Sequence, residues 1–147
     1  MKKILFVFGT RPEAIKMAPV INMFKNDGAN YKTLVAVTAQ HREMLDQVLS
    51  VFDIIPDYDL DLMSKSQTLE SLTGKILNGI SRLLIQIQPD LIFVQGDTTT
   101  TFSASLAAFY QKIPVGHIEA GLHTNDIYSP FPEEINRRMT SSIASHH

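Results

Sequence analysis

Short apolar runs that alternate with helix-like segments constrain the fold of this chain more than any other feature. Residues 4–8 and 91–94 are unbroken apolar runs, which are typical of parallel strands covered on both faces. Residues 33–38 and 114–118 predict two further strands, and each run leads through a polar turn toward a helical pattern. Because strands that alternate with helices favour a parallel sheet, the sequence predicts a doubly wound, mostly parallel α/β fold.

The segments between these runs have helical boundaries that can be predicted. Apolar residues recur at helical spacing from residue 69 to residue 87, with Thr68 as the cap and Pro89 as the stop. Pro19 lies inside the first helical pattern. Since proline disturbs the carbonyl four residues earlier, we expect a kink or division near Ile15. Residues 53–65 are irregular and acidic, and we interpret them as a connection that contains one short strand.

Composition excludes several classes of function. A length of 147 residues suits one domain, which we assign to residues 1–147. The net charge of -2 provides no basic footprint for nucleic acid, and no apolar run approaches membrane-spanning length. The absence of cysteine excludes disulfides and thiolate metal sites. The apolar run after Lys3 is too short for a secretory signal, so we expect a cytoplasmic protein.

Carboxylates follow two of the predicted strands. Asp97 comes after the strand at residues 91–94, and Glu119 follows residues 114–118 directly. Because parallel strands end at a common edge, where open α/β sheets bind their ligands, we expect both side chains there. A second acidic pair, Glu133 and Glu134, follows the bend at residues 130–132 and opens the next predicted helix. The loop before this helix could fold back over the same edge.

The turn after the first strand has the residues of an anion site. Gly9 lets a ligand approach the backbone, Pro12 suits a first helical position, and free amides at a helix start attract anions. Arg11 and Lys16 add positive charge. The turn lacks the GxGxxG pattern of dinucleotide sites. An ordinary tight turn explains the same residues, so both interpretations stay open.

Two histidines raise the question of a metal site. His117 and His123 lie near Asp97 or Glu119 in the predicted arrangement. The pattern His117-x-Glu119 also occurs in zinc deaminases, whose chemistry needs downstream cysteines that this chain lacks. The apolar strand around His117 favours a hydrogen-bonded structural histidine over a metal ligand.

Five ordered phrases of the sequence resemble one family of enzymes. The phrases are GTRPEAIKMAP, TAQHREMLDQVL, QGDTTTT, GHIEAGL and PFPEEINRR. In this order they resemble the amino-terminal half of the non-hydrolysing UDP-N-acetylglucosamine 2-epimerases over nearly the whole chain. The resemblance implies a Rossmann-like domain that forms one half of a two-domain, glycosyltransferase-B-like architecture. The carboxy-terminal nucleotide-binding domain, which should supply a further catalytic histidine, is then absent from this chain.

The resemblance also implies a reaction and residues that perform it. The reaction is the interconversion of UDP-N-acetylglucosamine and UDP-N-acetylmannosamine by elimination and re-addition of UDP, with no metal and no cofactor. Asp97, Glu119 and Glu133 match the catalytic positions. Arg11 and Lys16, together with Asp97 and Glu119, match substrate contacts. A homodimer is implied for the full-length enzyme, and the fragment alone is expected to be inactive.

A second nucleotide-sugar site is also implied for some bacterial members. The segment that matches Gln40, His41, Arg42 and Glu43 touches an activating UDP-N-acetylglucosamine in those members. These four residues are therefore candidate allosteric residues, with a solvated helix start as the alternative. Some of those members have glutamine where this chain has Glu43, so activation stays open. The family usually has arginine where this chain has His123, which changes the charge of the loop before residue 130.

The last predicted helix carries two charged doublets. Glu133-Glu134 and Arg137-Arg138 fit a charged helix face with weak pairs three or four residues apart. The resemblance assigns only Glu133 to the active site, and it implies mainly structural roles for Glu134, Arg137 and Arg138. The chain stops at residues 146–147, in or near a helix without an end signal, and we expect it to be a fragment.

Two other functions fit parts of the pattern. A glycosyltransferase of the same architecture also binds a UDP-sugar, but it transfers the sugar to an acceptor that an epimerase does not need. A non-catalytic α/β module, such as a phospho-accepting receiver, needs acidic residues at the end of its first strand, and residues 8–11 supply none. The epimerase therefore ranks first.

Overall fold

The computed structural model describes residues 1–38 and 42–147, and these residues contain a five-stranded sheet in which all paired strands are parallel. The strands are β1 (Lys2–Phe8), β2 (Tyr31–Val37), β3 (Tyr58–Asp59), β4 (Leu91–Gln95) and β5 (Val115–Ile118). The helices are α1 (Arg11–Asn26), α2 (Arg42–Val51), α3 (Leu69–Ile87), α4 (Thr99–Tyr110) and α5 (Glu133–Ile143). The strand order is β3-β2-β1-β4-β5. The predicted doubly wound α/β fold is confirmed.

The central strand β1 is buried on both faces of the sheet. Leu5 and Val7 belong to the core beneath α3 and α4, whereas Ile4, Phe6 and Phe8 belong to the core beneath α1 and α2. Because successive side chains of a strand point to opposite faces, a strand covered on both sides needs apolar residues at every position. This requirement explains the unbroken apolar run from which the sheet was predicted.

Helix α1 continues past its internal proline. It runs from Arg11 to Asn26 with Pro19 inside it, so a division near Ile15 is ruled out, and the alternative of a kink there stays a prediction. Pro19 and Ile15 lie on the exposed side of the helix, while Met17 and Ala18 are fully buried on the sheet. Packing of the apolar face therefore holds the helix together, and the carbonyl that proline leaves without its usual donor belongs to the exposed side.

Other predicted boundaries agree with the structure. The hydroxyl of Thr68 accepts a hydrogen bond from the amide of Ser71 at 3.1 Å and caps α3. The helix ends before Gln88, whose φ of 51° is left-handed, and Pro89 follows. The short strand expected between residues 53 and 65 is β3.

The segment after α5 is extended, not helical. Helix α5 ends at Ile143, and the amide of Ser145 donates to the carbonyl of Val115 at 3.0 Å. The amide of His117 donates to the carbonyl of His146 at 2.8 Å, in a parallel bridge beside β5. The last residues lie near a helix, as expected, since His146 follows the end of α5 by three residues. Strand-like hydrogen bonds to β5 replace the helical ones.

The turn after β1 packs against the ends of two other elements. A Cβ atom at Gly9 would lie 2.1 Å from the hydroxyl of Thr38 and 3.0 Å from that of Thr100. These two hydroxyls are hydrogen-bonded to each other at 3.0 Å. Gly9 is thus required by close approach of the turns after β1, β2 and β4.

We predict opposite effects on stability for two glycine-to-alanine changes. Gly9→Ala should lower the free energy of unfolding by about 1–3 kcal/mol, because the added methyl group overpacks the turn. Gly74→Ala should raise it by about 0.5–1 kcal/mol, because Gly74 lies inside α3 with no heavy atom near its Cβ position. Denaturant unfolding of both variants tests this pair. Equal stabilities would contradict the close-approach argument.

Candidate active site

A cleft of about 580 Å³ opens at the carboxyl edge of the sheet. Its walls are the turns after β1 and β4, the end of β5 and the start of α5. The structure places the three predicted catalytic carboxylates, Asp97, Glu119 and Glu133, in this cleft together with Lys16 and Arg137. Residues far apart in sequence meet here because all five strands end at this side.

Glu119 is held in an unusual backbone conformation. Its φ of 61° lies in the left-handed region, which costs free energy for a residue other than glycine. Arg137 donates a hydrogen bond to its carbonyl oxygen. Its side-chain Oε2 accepts from Gln95 Nε2 at 2.5 Å and lies 3.2 Å from Lys16 Nζ. Contacts from three elements therefore fix both the backbone and the carboxylate of Glu119.

Asp97 is anchored by two consecutive residues of α5. Arg137 Nη2 donates to Asp97 Oδ2 at 2.8 Å, and Asn136 Nδ2 donates to the Asp97 carbonyl at 3.1 Å. The guanidinium of Arg137 is almost fully buried and contacts both Asp97 and Glu119. These contacts place Arg137 in the wall of the cleft, and its mainly structural role stays a prediction. A buried helix position aims it at the cleft instead of at solvent.

Lys16 is the more exposed cation of the cleft. Its side chain is 56% exposed beside the partly buried carboxylate of Glu119. A pair this accessible contributes little to stability. The ammonium group of Lys16 can therefore leave Glu119 for a bound anion at a small cost in free energy. Buried Arg137, by contrast, holds the Glu119 carbonyl oxygen and Asp97 Oδ2.

Two backbone amides of the first turn already have an acceptor within the protein. The amides of Gly9 and Thr10 donate to Glu13 Oε2 at 3.0 and 2.7 Å. An internal carboxylate thus occupies these helix-start amides, and the side chains of Arg11 and Lys16 are left to attract an anion. Arg11 lines a neighbouring cleft between α1 and α2, and Lys16 lines both clefts.

His117 is a hydrogen-bonded structural residue, as predicted. Its buried ring lies with Nε2 2.7 Å from the Gly96 carbonyl and Nδ1 3.3 Å from the hydroxyl of Ser141. Burial lowers the pKa of His117, which favours the neutral ring. Within residues 1–38 and 42–147, no group of three or more histidine, aspartate or glutamate side chains is arranged to hold a metal ion.

Of the four candidate allosteric residues, Gln40 and His41 lie outside the described residues. Arg42 and Glu43 form the first turn of α2. Arg42 hydrogen-bonds to Asp59 and lies 3.4 Å from Asp61. Its guanidinium therefore joins α2 to β3, and its allosteric role stays a prediction.

Several residues of the cleft and of its supports were missed by sequence reasoning, although the sequence carried signals for them. Thr10 and Glu13 have the three-residue spacing of a capping box. Gln95 is a buried polar residue at the end of an apolar strand. Asn136 and Arg137 follow Glu133 by three and four residues, a spacing that shares one helix face.

Glu134 anchors the loop that closes one end of the cleft. Its Oε2 accepts from the Thr124 amide at 3.0 Å, and its Oε1 accepts from Arg138 Nε at 2.8 Å. His123 Nδ1 lies 3.7 Å from the same Oε1. The expected helix-face pair is confirmed for Arg138. His123 is a second basic neighbour of the Glu134 carboxylate.

The profile of the family described as UDP-N-acetylglucosamine 2-epimerase matches residues 24–147. This chain belongs to that family. It is 58% identical over 147 residues to a putative UDP-N-acetylglucosamine 2-epimerase of Thermotoga maritima, and 59% identical over 145 residues to the UDP-N-acetylglucosamine 2-epimerase of Yersinia pestis. The matches cover 100% and 99% of this chain but 39% and 38% of those proteins. The chain spans about two fifths of the length of these relatives.

Solved structures of the family superpose closely on this domain. The Neisseria meningitidis UDP-GlcNAc 2-epimerase bound to UDP-GlcNAc is 59% identical, with a TM-score of 0.93 over 99% of this chain and 40% of that one. The Methanocaldococcus jannaschii enzyme in complex with UDP-GlcNAc and UDP is 36% identical, with a TM-score of 0.90 over 97% and 39%. Acinetobacter baumannii MurG, at 15% identity and a TM-score of 0.71, covers 99% of this chain and 40% of its own and shares the fold alone.

We predict an acid-dependent loss of stability from the Glu134 anchor. The Thr124 amide and Arg138 lower the pKa of Glu134, against the opposing effect of burial. A lowered carboxyl pKa stabilises the fold fully above the ordinary value of 4.5, and the contribution disappears as pH falls through the lowered value. Glu134→Gln should therefore destabilise the domain at neutral pH and converge with the unchanged chain in acid.

Denaturant unfolding between about pH 7 and about pH 3 measures this difference. Glu70→Gln, at an exposed position in the first turn of α3, is the control and should have a small effect throughout. A constant difference between Glu134→Gln and the unchanged chain at every pH would contradict the prediction.

Proposed function

We propose that this domain is the amino-terminal half of an enzyme that interconverts UDP-N-acetylglucosamine and UDP-N-acetylmannosamine by eliminating and re-adding UDP. The observation that carries the proposal is the meeting of Asp97, Glu119 and Glu133 in one cleft with Lys16 and Arg137. Family membership and the ligands of the Neisseria and Methanocaldococcus structures support the substrate.

The chemistry explains why several carboxylates are needed. The carbon-2 proton of the sugar is not next to a carbonyl group, so its direct removal is slow. If the bond from carbon 1 to the UDP oxygen breaks first, UDP leaves with the electron pair and positive charge develops on the sugar. A carboxylate then takes the carbon-2 proton, and the electrons of that bond form a double bond between carbons 1 and 2. Protonation from the other face and re-addition of UDP give the epimer.

The positions of the side chains suggest how the work is divided. Lys16 and Arg11 lie at the start of α1, where their charges suit the diphosphate. The sugar is then the partner of the three carboxylates, Asp97, Glu119 and Glu133, which stabilise positive charge on it and transfer protons. Arg137 orients Asp97 and the Glu119 backbone. The carboxy-terminal domain should close the cleft from the other side and hold the uridine.

Family membership favours this function over a glycosyltransferase or a non-catalytic module. The homodimer, the cytoplasmic location, the inactivity of the isolated domain and the allosteric site stay predictions. No helix in the described part of the chain is long and apolar enough to cross a membrane.

The shared-site assignment predicts large losses of rate in three variants. Asp97→Asn, Glu119→Gln and Glu133→Gln should each slow epimer formation by on the order of 10²- to 10⁴-fold, because each removes a group that transfers a proton or stabilises charge. Epimer formation and carbon-2 deuterium uptake from heavy water are measured in the full-length protein that contains this domain. Glu70→Gln is the control with an exposed carboxylate. Near-normal rates in all three variants would reject the shared site, and epimer without solvent deuterium would reject elimination.

The diphosphate assignment predicts weaker UDP binding when Arg11 is removed. Arg11→Ala should reduce UDP affinity by about tenfold or more, since a charge-assisted hydrogen bond contributes about 1.5–3 kcal/mol. Lys25→Ala removes an exposed cation from the other end of α1 and should leave the affinity unchanged. Calorimetric titration of the full-length protein with UDP measures both. Equal affinities in the two variants would contradict the role of Arg11.

A further inference from the structure

Glu13 is a buried carboxylate with five hydrogen-bond donors around it. Its side chain is 2% exposed at the third position of α1. Oε2 accepts from the Gly9 amide, the Thr10 amide and the Thr10 hydroxyl at 3.0, 2.7 and 2.8 Å. Oε1 accepts from the Thr98 hydroxyl at 2.7 Å and lies 3.3 Å from the Thr101 hydroxyl. Oε2 thus contacts the turn after β1, and Oε1 contacts the turn after β4.

The partners of Glu13 in the described residues are all uncharged. A buried carboxylate without a cation is costly, and burial raises the pKa of Glu13 although its donors lower it. A raised carboxyl pKa means that the stabilising contribution is present below the ordinary value and is lost as pH rises. Burial therefore offsets part of what the hydrogen bonds of Glu13 contribute to stability.

The two turns joined by Glu13 carry the two halves of the proposed site. One turn leads into α1, which presents Arg11 and Lys16. The other turn contains Asp97, and Thr98 follows it directly. A change in the distance between these turns moves the cations relative to the carboxylates. Glu13 can set this distance from the edge of the cleft, where it lies.

We infer that Glu13 is a positioning residue, whose carboxylate holds the cationic start of α1 at a set distance from the Asp97 turn. The inference rests on the proposed function, because the distance matters only if the diphosphate and the sugar are bound at once. Small misplacements of reacting groups have large effects on rate, so the bridge acts on catalysis through Lys16 and Asp97.

Because of the donors around Glu13, two substitutions can separate the effect of its shape from the effect of its charge. Backbone amides only donate, but hydroxyls both donate and accept. Glutamine at this position can turn its oxygen toward Gly9 and Thr10 and its amide nitrogen toward the hydroxyls of Thr98 and Thr101. Methionine has a similar length but leaves two buried amides without their acceptor. Glutamine should therefore preserve the bridge, and methionine should break it.

The test compares Glu13→Gln and Glu13→Met in the full-length protein that contains this domain. Glu13→Met should lower kcat/KM for UDP-N-acetylglucosamine by at least about tenfold, and Glu13→Gln by less than about fivefold. Hydrogen exchange at the Gly9 and Thr10 amides should accelerate in Glu13→Met alone. Ile80→Ala, in the core of α3, is the control for lost stability, and it should retain kcat/KM at temperatures well below its Tm.

Three results would overturn the inference: normal activity in Glu13→Met, equal losses in Glu13→Gln and Glu13→Met, or an equal loss in Ile80→Ala at a matched fall in Tm. If Glu13→Met does not fold, Glu13→Asp replaces it, since the shorter side chain cannot reach both turns and should also lose at least about tenfold. An inactive unchanged protein would reject the proposed function instead. The positioning role is then decided by amide exchange and UDP affinity, which should fall in Glu13→Met and not in Glu13→Gln.

Discussion

Burial of β1 on both faces is the constraint on which the rest of the structure depends. Leu5 and Val7 face one pair of helices, and Phe6 and Phe8 face the other. A strand covered on both sides must sit inside a parallel sheet whose helices return the chain each time to the same starting edge. All the strands of the described sheet therefore end on one side. The cleft with its carboxylates is the direct result.

The site depends on anchors that come from several elements. Arg137 of α5 contacts the left-handed backbone of Glu119 through its carbonyl oxygen, and Gln95 of β4 and Lys16 of α1 contact its carboxylate. Asp97 is held from α5 by Asn136 and Arg137. Such redundancy preserves the geometry before a ligand binds, and preorganised charge is the main way in which proteins stabilise charged transition states.

Charge in the cleft is distributed by accessibility. Buried Arg137 holds groups of the protein itself, namely Asp97 and the Glu119 carbonyl. Exposed Lys16 and the neighbouring Arg11 remain accessible to a diphosphate. Glu13 occupies the helix-start amides that often bind phosphate. The proposed function therefore assigns substrate binding at this turn to side chains, and the role inferred for Glu13 assigns the Gly9 and Thr10 amides to alignment. This division connects the positioning role of Glu13 with the proposed epimerase.

The sequence by itself determined the fold class and the edge of the sheet at which the site lies. Apolar runs report burial, and the residues that follow them must lie where strands end, so the positions of Asp97 and Glu119 were predictable. The inferences for Asp97 and Glu119 need only local patterns and the rules of parallel sheets. For the acidic pair after the bend at residues 130–132, the pattern allowed a return to this edge, and the family resemblance selected Glu133.

Only the tertiary structure decided which charged side chains face the cleft and which amides are already occupied. Arg137 and Arg138 are adjacent in sequence, yet one reaches Asp97 and the other Glu134. Glu13 takes the amides that the sequence pattern left for an anion. Pro19 stays inside one helix because burial on the sheet outweighs its local penalty. The physical reason is the same in each case: packing between distant elements sets the direction of a side chain, and local sequence does not contain those neighbours.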